Sequence, residues 1–156
     1  MIGKYVRGRV YVFIDAANLE NSVKGLGWWI DYIRLYEYFD TETNLIGIRH
    51  YCPRFYSDGQ EGFFTVLKRA GIKLVTKPLK IINEYGNEDA SIRKANFDVE
   101  IAIDGIVLKS GYETLRKYNK RVIVVSSKKH VSRELINSCN KYIEIKRLKK
   151  YISRNM

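Results

Sequence analysis

With 156 residues, the chain is long enough to bury a core without disulfide or metal staples. Its 28 Lys and Arg stand against 17 Asp and Glu, a formal charge of +11 that favours a polyanionic partner such as nucleic acid. Cys52 and Cys139 lie far apart with neither CxxC nor Cys/His spacing, which argues against a disulfide scaffold or a zinc site. No apolar run approaches the roughly 20 residues that cross a bilayer, and the amino terminus lacks a signal-peptide core. A cytoplasmic protein with structural thiols and no membrane partner is therefore expected.

The residues from Arg9 to Asp15 read as an apolar strand that delivers a carboxylate at its carboxyl end, followed by Ala16-Ala-Asn18. In α/β folds the crevice beyond the strand ends receives ligands, so Asp15 is the first candidate for chemistry. Asn18 or Asn21 is expected to cap a short helix within the stretch that turns away toward Gly27. Apolar residues at mixed spacings of three and four, among them Trp29, Ile30, Ile33, Leu35, Tyr36 and Phe39, predict an amphipathic helix begun near Asp31, with Trp29 in its core. A second strand is expected from Leu45 to Cys52, stopped by Pro53, and then a helix from Gly59 to Gly71 bearing Phe63, Phe64, Val66, Leu67 and Ala70. At the exit of that strand, Tyr51, Phe55 and Tyr56 interleave with Arg49 and Arg54, a mixture suited to base stacking with phosphate contacts. His50 in the same strand reads as a hydrogen-bonded structural residue rather than a general base.

Ile72 to Thr76 and Val122 to Ser127 read as third and fourth strands buried on both faces of a parallel sheet, and Ile143 to Ile145 as an edge strand. Between strands three and four, residues 78–96 carry a hairpin-like or flexible excursion around Tyr85-Gly-Asn-Glu. The basic segment from Lys146 to Arg154 suits a short terminal helix. Strands alternating with helices predict an α/β fold in one domain over residues 1–156.

Three acids interrupt the apolar helix expected from Phe97 to Leu108. Val99, Ala102, Ile103 and Ile106 follow the spacing of a buried stripe. At about 100° per residue, Glu100 and Asp104 share a face, and Asp98 lies roughly 120° from Asp104 near the helix start, where a carboxylate also satisfies free amides and the helix dipole. Acids from two separated segments that converge beyond a sheet edge suit Mg²⁺ or Mn²⁺, which could activate water and neutralise a phosphodiester.

Phe13-Ile-Asp15-Ala-Ala-Asn18, followed by Phe97-Asp98-Val-Glu-Ile-Ala-Ile-Asp104, resembles the NYN domain of the PIN-like nuclease superfamily, in its LabA-like branch. The resemblance implies a three-layer α/β/α sandwich with a mainly parallel sheet of PIN-like, Rossmann-like topology. It also implies an acidic pocket that binds Mg²⁺ or Mn²⁺ and cleaves RNA. By position Asp15, Asp98 and Asp104 would be the catalytic and metal-binding acids, and Asn18 would orient the pocket or the substrate. Single-stranded RNA is the expected partner, and pairing of two copies stays open.

The chain departs from that pattern after the fourth strand, where Ser126-Ser-Lys-Lys-His-Val131 replaces the family's Ser-Gly-Asp-x-Asp-Phe. Lys128 and His130 stand where two acids are expected, and positive charge there opposes a divalent ion. Lys128 and Lys129 can instead grip phosphate at the amino end of the next helix, with His130 and Arg54 beside the substrate. Two functions follow from these residues: a metal-dependent ribonuclease with a reduced acid set, or a degenerate NYN domain that binds RNA or a protein. An aspartyl phosphatase is disfavoured because Ala17 occupies the place of its second acid. A dinucleotide enzyme is disfavoured because no G-x-G-x-x-G follows the first strand.

Overall fold

The computed structural model describes residues 1–78, 80–83, 91–94, 97–107 and 121–154. Strand β1 spans Arg9–Asp15, β2 Asn44–Arg54 and β3 Lys73–Pro78, and they form a parallel sheet in the order β1-β2-β3. Register fixes the faces: Ile14, His50 and Leu74 are partners along one row, Asp15, Tyr51 and Val75 along the next. Side chains alternate along each strand, so these two rows point to opposite sides of the sheet. A bulge between Val10 and Tyr11 places Tyr11 opposite Gly47. The Tyr11 ring lies on that glycine so closely that a Cβ would meet its hydroxyl at 3.0 Å, and a side chain at position 47 would require the ring to give way by a few tenths of an ångström.

Three helices cover the Ile14 face: α1 (Ala16–Lys24), α2 (Tyr32–Glu42) and α3 (Asp58–Arg69). Their buried Val23, Tyr32, Leu35, Phe39 and Leu67 pack with Ile14 and Ile48 into the principal core. Each such aliphatic side chain contributes about 1.5–3 kcal/mol through burial. The helix starts are locally encoded. Asp31 accepts from the amides of Ile33 and Arg34, at 3.0 and 3.1 Å, and Ser57 caps α3. Gly71, at φ +82°, lets the chain leave α3 through the left-handed region.

On the opposite face lies α4 (Asp98–Val107), after a pair of antiparallel strands, β4 (Lys80–Asn83) and β5 (Ser91–Lys94). The expected turn at Tyr85-Gly-Asn-Glu lies outside the described residues. The chain continues through β6 (Ile123–Ser126), α5 (Arg133–Ser138) and β7 (Lys141–Glu144), with β6 and β7 paired in parallel. A 3-10 turn, Ile145–Leu148, and α6 (Lys149–Ile152) then return to the principal core through Ile145, Leu148 and Ile152. The Asp31 amide bonds the Ile152 carbonyl at 2.8 Å, and the Arg34 guanidinium bonds the Ser153 carbonyl at 2.8 Å. The result is an α/β sandwich with helices on both faces of a mainly parallel sheet.

Several local expectations are corrected. Asp15, not Asn18 or Asn21, caps α1. Trp28 is buried at 5 % exposure while Trp29 is 61 % exposed, because the chain turns at Gly27 and α2 begins only after Asp31. Ile33 and Val66 also face outward. Strand β2 does not stop at Pro53 but runs to Arg54. Beyond Tyr51 it has lost its β1 neighbour, so a residue without N–H is tolerated there, and the Gln60 side-chain amide donates to the Pro53 carbonyl at 2.8 Å. The apolar stripe predicted for α4 is reversed: Val99, Ala102 and Ile103 are exposed, and the face carrying Glu100 and Asp104 meets the sheet.

Candidate functional site

Asp15 ends β1 and begins α1 in one step. Its Oδ1 accepts from the Asn18 amide at 3.2 Å, and its Oδ2 accepts from the Asn18 side-chain amide at 2.5 Å. The carboxylate therefore sits on the positive end of the helix dipole with its partner three residues on. Ala16 and Ala17 allow this close return, and Ala16 is itself buried against Cys52 and Phe64.

Asp104 reaches the sheet from α4. Its Oδ2 accepts from Arg49 Nη1 at 2.9 Å and from the Tyr51 hydroxyl at 2.6 Å. Arg49 and Tyr51 alternate along β2 and so share its α4 face. Burial works against the Arg49 charge, but the Tyr11 hydroxyl and the Asp104 carboxylate outweigh it and raise the guanidinium above its ordinary value. Burial first, then the bond to Asp104, pushes the Tyr51 phenol well up, so it stays protonated and donates. One turn earlier, Glu100 Oε1 accepts from Lys77 Nζ at 2.7 Å, and the same ammonium lies 4.6 Å from the centre of the Phe97 ring. The bond to Lys77 lowers the Glu100 carboxyl below the usual range.

Asp98 stands exposed in the first turn of α4. Among the described residues, no group of three or more His, Cys, Asp or Glu side chains lies close enough to hold a metal ion. Of the three acids expected to share a metal, Asp15 bonds Asn18, Asp98 stands at a helix start, and Asp104 bonds Arg49 and Tyr51.

Lys128, Lys129 and His130 form an exposed turn after β6. The turn is tied down where Ser127, itself buried, bonds the Ser22 hydroxyl of α1 at 3.3 Å, and where the His130 amide donates to the Ser127 carbonyl at 3.0 Å. It is therefore fastened to the helix that Asp15 caps. The following helix, α5, begins only at Arg133, and the Ser132 hydroxyl already accepts from the Leu135 amide. Arg54 pairs with Glu61 at 2.6 Å and lies 5.2 Å from the centre of the Tyr56 ring. The mixed aromatic and basic strand exit divides in two: Tyr51 is fully buried, whereas Phe55 and Tyr56 are exposed.

Arg49 and Lys77 as countercharges for Asp104 and Glu100 were not foreseen from sequence. The available signal was an arginine in the middle of an apolar strand, which demands a buried anion across the sheet. His50 is fully buried between the Tyr32 and Phe63 rings, with Nε2 3.1 Å from the Tyr32 hydroxyl. Burial lowers its pKa to about 4, so it is a neutral core residue.

A parallel sheet whose first strand ends on a helix-capping aspartate, with an acid-bearing helix over one face, defines an α/β domain of the PIN-like class. The NYN domain family model matches residues 9–111, and the chain belongs to that family. It is 30 % identical to "Low amplitude and bright protein LabA" of Synechococcus elongatus, over 94 % of this chain and 88 % of that protein. The fold also matches the crystal structure of a protein of unknown function from Vibrio parahaemolyticus, with TM-score 0.67 at 18 % identity, over 86 % of this chain and 91 % of that one.

Proposed function

We propose that this NYN domain is an RNA-binding module that holds single-stranded RNA at the carboxyl edge of its sheet without metal-dependent hydrolysis. The observation that carries the reading is the pair of bonds on Asp104. A carboxylate that already accepts from a guanidinium and a phenol has its charge compensated by protein, and a divalent ion would have to displace both donors and meet Arg49 beside it. Mg²⁺ and Mn²⁺ require several hard oxygens converging on one point. Asp15, tied to Asn18, and Asp104, tied to Arg49 and Tyr51, do not fit that requirement.

What the residues suit is the capture of phosphate. Lys128 and Lys129 are exposed, make no ion pair among the described residues, and stand on a turn fastened to α1. His130 in that turn adds a donor. The formal charge of +11 supplies long-range attraction for a polyanion. Membership of a family associated with RNA-cleaving enzymes favours RNA as that polyanion.

The test is binding and cleavage of labelled single-stranded RNA by the purified chain in Mg²⁺, in Mn²⁺ and in EDTA, with Asp15→Asn and the Lys128→Glu, Lys129→Glu pair alongside. Binding that requires no metal, and no fragments in any of the three conditions, are expected. The lysine pair should weaken binding and flatten the salt dependence by at least about 1.4 in log–log slope, the value for the loss of two single-strand phosphate contacts. Metal-dependent fragments that disappear with Asp15→Asn would overturn this reading and establish a ribonuclease.

A further inference from the structure

Strand β2 runs past its neighbour. Asp15, the last residue of β1, pairs with Tyr51, after which, among the described residues, Cys52, Pro53 and Arg54 pair only with β3. The overhang forms a ledge beside the strand-end crevice, and at its tip stand Phe55 and Tyr56, 53 % and 72 % exposed.

This tip is built, not loose. The Phe55 amide donates to the Gln60 side-chain carbonyl at 2.7 Å, and the Gln60 side-chain amide donates back to the Pro53 carbonyl at 2.8 Å, closing the loop on both sides. Tyr56 has φ 56°, and among the described residues it is the non-glycine residue held at positive φ. A bulky side chain there is strained, and strain of this kind persists only where the surroundings enforce it. Arg54 lies against this residue, its guanidinium 5.2 Å from the Tyr56 ring centre and 5.9 Å from that of Phe64, and is anchored by Glu61 at 2.6 Å. Tyr56 is thus fixed in position without being buried, so core packing does not account for it.

We propose that Phe55 and Tyr56 form a stacking platform for unpaired bases of single-stranded RNA. The inference rests on the RNA-binding reading and names the part of the ligand that this edge takes. Asp58 and Glu61 occupy the first turn of α3 beside the pair, so this end repels phosphate and receives base faces, while the backbone is left to the basic turn at Lys128 and Lys129. Every base has a stacking face, so the platform tolerates sequence but rejects a duplex, in which those faces are covered.

The experiment compares the whole chain with Phe55→Ala, Tyr56→Ala, the double variant and Tyr56→Phe. Each is titrated against a short labelled single-stranded RNA, its duplex, and the same strand with abasic sites. The double variant should bind intact single strand about 5- to 100-fold more weakly, with the salt slope unchanged because phosphate contacts are untouched. Tyr56→Phe should retain affinity. Abasic RNA should bind wild type and double variant alike, since a missing base and a missing ring remove the same contact. Thermal melts confirm that the variants fold, and Tyr56→Gly, which adopts this φ without strain, is a second ring-deleted form. If wild type binds RNA and the double variant binds it equally well, the platform is overturned while the RNA-binding reading stands. Equal loss on duplex also overturns it. If wild type binds no RNA, both readings fall together.

Discussion

The two faces of the β1-β2-β3 sheet are built on different principles. Under α1, α2 and α3 the sheet contributes Ile14, Ile48 and Leu74, and its one imidazole, His50, is kept neutral between aromatic rings. Under α4 it contributes Tyr11, Arg49, Tyr51 and Lys77, and the helix answers with Asp104 and Glu100. The first face is held by removal of apolar surface from water, and any hydrophobic neighbour of suitable size satisfies it. The second combines aromatic packing of Phe13, Tyr51 and Phe97 with two ion pairs, Arg49–Asp104 and Lys77–Glu100, and such pairs add little net stability once desolvation is counted. The larger aliphatic core thus lies on one face. The other fixes the position and charge of groups beside the strand-end crevice.

The comparison breaks most clearly where burial is complete. Ile48→Ala, on the α1–α3 side of β2, should cost about 2–5 kcal/mol by urea unfolding, and below its lowered melting temperature the variant should bind RNA as wild type does. A loss of less than about 1 kcal/mol would show that this face is not the seat of stability.

Acid tests the same face through His50. Its folded value of about 4 lies below the ordinary value near 6.5, so the unfolded chain takes up the proton first. The contribution is fully present above about pH 6.5 and is lost as pH falls toward 4, about 2 kcal/mol between pH 7 and pH 5. Glu20 works in the opposite sense at the lower end of that range. Burial raises its carboxyl, against the pull of the Tyr32 hydroxyl, and the folded state then takes up its proton more readily. Unfolding curves at the two pH values for wild type and His50→Gln isolate the imidazole: the pH dependence should shrink in the variant, and an undiminished slope would assign it elsewhere.

A narrower effect belongs to the α4 face. Tyr51→Phe removes one donor from the Asp104 carboxylate but leaves Arg49 in place, and should cost about 1.5–3 kcal/mol, the range for a hydrogen bond to a charged group. Urea unfolding reads that cost. A cost well above about 3 kcal/mol would mean that the polar face carries the fold as well.

How much of this was legible in the chain follows the same division. The strand from Arg9 to Asp15 and the helix start at Asp31 were readable because their signals are local: an apolar β-branched run, and a side chain that caps amides two and three residues on. The outward turn of Val99 and Ile103 was not readable. Counting apolar spacing assumes that acids face water, whereas Glu100 and Asp104 face cations that lie 23 and 55 residues earlier in the chain. Pro53 misled for a related reason, since a strand tolerates proline once its neighbour on that side has ended, and where β1 ends relative to β2 is a property of register. Asp15 was found as a strand-end carboxylate, but its role as the cap of α1 depends on Asn18 returning both its amide and its side chain.

The return of residues 145–153 to the core also bears on when the protein can fold. Ile145, Leu148 and Ile152 close over Trp28, Leu35 and Phe39, and the carbonyls of Ile152 and Ser153 receive the Asp31 amide and the Arg34 side chain. A chain still in synthesis, growing at about 5–20 residues per second, has made the first three strands long before these residues emerge from the ribosome. Until then the apolar face is open on the side that they will cover. The nascent sheet therefore waits about 4–15 seconds, at that rate of synthesis, with this side of its core uncovered.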